Sequence, residues 1–182
     1  MTTPSYDDIY RLHDDANDKG FYHWYYDDLF ALTWWVLFFA TIVPYFIWWR
    51  IVDRKRLMEM TSFGLFSATL ASFLDVIGVT IGLWGYPDKL IPVLPPLLPA
   101  DLVIIPVSSM LIYQYTTKWS SYILFYLLFS LLLAFIVEPI FSYYDMYIAH
   151  KWWTHTYSFF GLVLYGCSLR VFIKFIRANH SL

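Results

Sequence analysis

The chain has 182 residues, 59% of them hydrophobic, 23% aromatic and only 14% charged. A soluble domain carries roughly 25% charged residues, and one of this size has too little interior to bury so many apolar side chains. Disorder requires the opposite balance, a single Cys167 excludes a disulfide scaffold, and a net charge of −2 with no basic stripe beyond one short loop argues against nucleic acid. The lipid bilayer is the expected solvent, and the expected fold is an all-α five-helix transmembrane bundle.

The first 28 residues hold seven aspartates and only Arg11 and Lys19 as basic residues. That is the inverse of a cleaved signal peptide. Ser5 and Asp8 have the spacing of a capping box, and Gly20 is a plausible stop, which predicts a short helix over 6–17 on an acidic tail. Runs of about 20 apolar residues then suit a bilayer core of about 30 Å. They predict spans over 29–49, 62–84, 100–117, 119–141 and 156–176, within a membrane domain of 29–177. Arg170 and Lys174 in the last span are expected to snorkel. With the N-terminus outside, Arg50, Arg54, Lys55, Arg56, Lys118, Arg170, Lys174 and Arg177 all lie inside, eight of the twelve basic residues. The bias predicts an N-out, C-in topology, and Trp34, Trp35, Trp48, Trp49, Trp84, Trp119, Trp152 and Trp153 near span ends form the aromatic belt.

Ionisable groups within spans are costly and tend to face the bundle interior with partners. Asp75 aligns with Gly64, Ser67, Ala68, Ala71, Ser72, Gly78 and Gly82 at helical spacing, a small-residue face suited to close helix contact, with Gly78-x-x-x-Gly82 as a local motif. This places Asp75 in a helix–helix contact, either as a hydrogen-bonded lock or as a ligand for a proton, ion or substrate. Glu138 precedes Pro139, which cannot donate to the previous turn and encourages a kink. Asp101 is expected at the N-terminus of the third span, where capping accounts for it. The topology places all three carboxylates in the outer half of the membrane and predicts a shared, outward-opening polar cavity.

Two loops are expected to roof it. The segment 84–99 has five prolines among apolar residues and predicts a stiff, non-helical stretch. The segment 143–155 carries Tyr143, Tyr144, Asp145, His150, Lys151, Trp152, Trp153 and His155. His150 and His155 lack the spacing of a helical zinc pair, although a folded-back loop would bring them to Glu138 or Asp145. No metal is assigned. No phosphate loop, nucleophile elbow or CxxC motif occurs, and Cys167 reads as packing.

Trp84-Gly-Tyr-Pro87, Leu102 to Pro106, Glu138, and Trp153-Thr-His155-Thr-Tyr157-Ser158-Phe-Phe-Gly161 occur in an order that resembles a family of small integral membrane proteins common in Bacillus and related spore-forming bacteria. The resemblance covers about residues 60 to 165. Its members have an Asp in the second span, an aromatic-Pro motif after it, and Trp-Lys-His-x-Tyr-Ser opening the last helix. Thr154 stands here in place of that Lys. The resemblance implies a bacterial plasma membrane and selects Asp75, Glu138, His155 and Tyr157, and it brings no activity with it. The chain is also faintly similar to lycopene cyclase-like membrane domains, although Glu138 precedes its proline and the paired acids of that motif are absent.

Three functions follow as expectations. One is an outward cavity binding an ion, proton or small lipidic ligand through Asp75, Asp101, Glu138, His155 and Tyr157. A second is an accessory subunit that meets a membrane-protein partner or a second copy through Gly64, Ala68, Ala71, Gly78 and Gly82. The third is a membrane enzyme acting on an isoprenoid or lipid. The cofactor is unknown in all three.

Overall fold

A computed structural model describes residues 3–94 and 97–180. The tail opens with α1 (Tyr6–His23), capped by Ser5: its hydroxyl accepts from the Asp8 amide while the Asp8 carboxylate accepts from the Ser5 amide. Gly20 does not end this helix, which runs on into a π-turn at Trp24–Asp28. Glycine is permissive without being a terminator, and here its φ stays negative. The break falls later, where Phe30 adopts a positive φ of 65°.

The long helices are α2 (Leu32–Ile51), α3 (Leu57–Thr80), α5 (Trp119–Leu132) and α7 (His155–His180). A π-turn at Leu133–Val137 joins α5 to α6 (Glu138–Tyr143), so this helix continues as one 25-residue rod. Pro139 ends nothing. The widened turn precedes it, and the Glu138 amide donates five residues back to Leu133. Among the described residues, four helices are long and apolar enough to cross a membrane: Leu32–Ile51, Arg54–Thr80, Trp119–Tyr143 and His155–Ala178. The remaining expected span, the third, is the shortest, six residues of π-helix at Pro99–Ile104 followed by α4 (Ile105–Tyr115). Pro106 has no N–H for the Leu102 carbonyl one turn back, and the Tyr45 hydroxyl of α2 donates to that oxygen at 2.7 Å.

The core lies between α3, α4, α5 and α7. Phe63 stacks on Tyr113, Met60 and Met110 fill the centre, and Tyr122 and Tyr126 lie fully buried against α7. Gly64 admits the Met110 sulfur, and Gly166 admits the ring of Tyr126. Two buried serine hydroxyls are paired with tyrosines across helices, Ser67 with Tyr165 at 2.6 Å and Ser109 with Tyr126 at 2.7 Å. Arg170 does not snorkel. It is buried over the Trp119 and Tyr122 rings and donates to the carbonyls of Thr117 and Lys118, tying off the turn between α4 and α5. At the same end, Glu59 pairs with Arg56 and Arg177.

The glycines of α3 divide differently from the small-face expectation. Gly64, Ala71 and Gly78 are buried and Ala68 is half-buried. Gly82 lies beyond the helix at φ +70°, with the Leu83 amide donating to Gly78 and the Gly82 amide to Val79. That is a Schellman stop, which needs a residue tolerant of the left-handed region. The Gly78–Gly82 spacing is therefore not a helix-packing motif. Gly78 is a seat for the indole of Trp84, which occupies the space a Cβ would take.

At the other end from Arg170, β1 (Trp84–Gly85) pairs antiparallel with β2 (Ile148–Ala149). This two-residue ladder ties the loop after α3 to the loop before α7. Pro95 and Pro96, two of the five prolines of the first loop, lie outside the described residues.

Candidate functional site

The three carboxylates come from three different helices. Asp75 projects from the small face of α3, Asp101 from the π-segment ahead of α4, and Glu138 from the first turn after the π-turn following α5. All three line one cavity of about 410 Å³, whose walls also include Gly78, Trp84, Tyr86, Leu97, Ile104, Val137, Trp153 and Tyr165. The π-turns at Pro99–Ile104 and Leu133–Val137 thus hold or adjoin a carboxylate of the cavity, and such turns occur often at functional sites.

Asp75 is 6% exposed and almost saturated. Its Oδ1 accepts from Trp84 Nε1 at 2.7 Å and from the Tyr86 hydroxyl at 2.6 Å, and its Oδ2 accepts the Leu97 amide at 3.4 Å. Burial, with the carboxyls of Asp75 and Asp101 alongside, pushes the Tyr86 phenol well above its ordinary range, so it remains a donor.

Asp101 is not the expected cap. The helical turn begins at Leu98, and the Asp101 amide already donates to Leu97. Its side chain is 4% exposed, lies beside Asp75, and leaves Oδ2 without a hydrogen-bond partner. Glu138 is held by His155, whose Nδ1 lies 2.8 Å from Oε2. His155 thus reaches the cavity through Glu138 and does not line it. Tyr157 is not part of the wall. It is 49% exposed and packs edge-on against Trp152 and beside Trp153.

Trp84, Tyr86 and the Leu97 amide are the site groups that sequence spacing did not single out. The signal was the Trp84-Gly-Tyr-Pro87 run itself, polar-tipped aromatics in a loop just beyond an intramembrane acid. Trp153 also contributes: its ring lies 4.7 Å from that of Trp84, and its Nε1 donates to Ser158.

His150 does not join Glu138. Its amide donates to Leu83 and its ring lies beside Gly85. Among the described residues one His–Asp–Asp group has metal-ligand spacing, His23, Asp28 and Asp88, with one ligand atom of each within 4.8 Å of the others. Asp28 is 3% exposed there, and its Oδ2 accepts the Lys89 amide at 3.3 Å. Trp24 Nε1 donates to the Lys89 carbonyl and Trp34 Nε1 to that of Leu90, which fastens the tail to the proline-rich loop.

Comparison with family profiles, with curated proteins and with solved structures returns no match for this chain.

Proposed function

We propose that the chain is a five-span protein of a bacterial plasma membrane, N-out and C-in, whose outward-facing cavity binds a small, largely apolar ligand through intramembrane carboxylates. The observation that carries this reading is the convergence of Asp75, Asp101 and Glu138 on one cavity whose walls are otherwise mostly apolar and aromatic. An apolar pocket with a few convergent polar groups is the general form of a small-molecule site. Carboxylates taken from water at such cost are retained where they meet a ligand, a proton or a partner helix. Asp75 already has its partners within the chain, whereas Asp101 has an oxygen to spare. The grouping of Arg56, Lys118, Arg170 and Arg177 at the far end supports the orientation.

The accessory-subunit reading is weaker, because the small face of α3 is already covered by Met110, Trp84 and Tyr165 of the same chain. A partner would have to dock elsewhere.

Native mass spectrometry of wild-type protein beside Glu138→Gln tests the binding reading. A discrete adduct on the wild type, lost or at least tenfold weaker in the variant, is the expected outcome. Bare protein in both samples would remove it.

A further inference from the structure

Besides the indole N–H groups and the Ser158, Tyr86, Tyr147 and Tyr165 hydroxyls, the polar side chains of the cavity wall are carboxyls, and this narrows the ligand. The donors nearby, Trp84 Nε1, the Tyr86 hydroxyl and the Leu97 amide, are spent on Asp75. What the wall still offers is an acceptor: Asp101 Oδ2, buried to within 4% of its surface and without a partner. It stands beside a second carboxyl in a largely apolar surround. Two carboxyls side by side in such a medium cannot both ionise unless a cation lies between them, and a cation placed there also supplies the missing donor. A buried acceptor left unmade costs about 1–3 kcal/mol, which a donating ligand would recover.

An inorganic cation fits poorly. Calcium asks for six to eight oxygen ligands, and magnesium for a rigid octahedron that keeps several waters. Here Asp75 is already engaged, Glu138 is held by His155, the Ser158 and Tyr165 hydroxyls are bonded to Trp153 and Ser67, and most of the remaining wall is aliphatic side chains and aromatic rings. Those walls suit a hydrocarbon body, and the faces of Trp84 and Tyr86 suit an ammonium group.

We infer that the ligand is an organic amine, an ammonium nitrogen on an apolar body, with the nitrogen seated at Asp101 Oδ2 beside Asp75 and the body along the apolar wall. The inference rests on the cavity being a binding site, and the test separates the two. Octylamine and 1-octanol, matched in chain length and differing in charge, are titrated by calorimetry into wild-type protein in phosphatidylcholine nanodiscs, with empty nanodiscs subtracted. The expected result is octylamine binding at least tenfold more tightly than octanol, with the preference falling below twofold in Asp101→Asn. Equal binding of both probes to the wild type overturns the amine assignment and leaves the cavity reading in place. No heat above empty nanodiscs from either probe overturns both. A preference undiminished in a folded Asp101→Asn overturns Asp101 as the seat. The wild-type comparison needs no variant, so it stands even if Asp101→Asn fails to fold.

Discussion

Gly78 and Trp84 show how much of the site depends on one missing methyl group. The indole occupies the space a Cβ would take, and from there Nε1 reaches Asp75. Gly78→Ala forces the ring out or the backbone apart, and overpacking of this kind costs about 1–3 kcal/mol. The variant is expected to melt lower in detergent and to lose the Asp75–Trp84 hydrogen bond, visible as a shifted indole N–H resonance. Gly161→Ala is the control, because nothing lies within 4 Å of its Cβ and the helix gains from the exchange. Equal melting of the two variants would contradict the seating of Trp84. Asp75 in a small-residue face was legible in the sequence. The donors that hold it were not, because they arrive from a loop whose path depends on the β1–β2 ladder.

Among the elements, the junction of α1 with the proline-rich loop has its own pH dependence. Burial pushes the Asp28 carboxyl above its ordinary range, the Lys89 amide opposes this, Asp88 and Asp27 add to it, and His23 opposes it. The raised value means that the docked junction binds a proton more tightly than the undocked one. Docking is therefore strongest below the ordinary carboxylate range and weakens as pH rises through the folded value of Asp28. Amide exchange over Trp24–Asp28, corrected for its intrinsic rate, is expected to lose protection with rising pH in the wild type and to stay flat in Asp28→Asn. A flat wild-type profile would refute it. The capping box of α1 was readable from Ser5 and Asp8 because both partners lie within one turn. The true end of the helix was not, since Trp24 and Asp28 extend it by bonding to Lys89, more than sixty residues away in the chain.

The whole molecule has two chemically distinct ends. The acidic tail, the proline-rich loop and the β1–β2 ladder sit at one, and the Glu59, Arg56, Arg170 and Arg177 group sits at the other. Cysteine accessibility checks the orientation. In a Cys167→Ala background, Asp14→Cys is expected to react with an impermeant thiol reagent on intact cells, and Ala178→Cys only after permeabilisation. The reverse pattern would invert the topology and place the cavity on the cytoplasmic side.

Composition and apolar run length by themselves determined the all-α class and the four long helices, because a chain with so few charges and so many aromatics buries its backbone polarity best in helices. Helical spacing also determined that Asp75 faces inward, since its neighbours at three and four residues are small. The tertiary structure alone decided that Asp101 is a cavity wall and not a cap, that Gly82 ends α3, and that His155 serves Glu138 while Tyr157 stays outside. The π-turns at Pro99–Ile104 and Leu133–Val137 change the phase of their helices, and the partners of these residues come from elements far apart in the chain. Local spacing encodes a helix face, but it cannot say which loop will fold over that face.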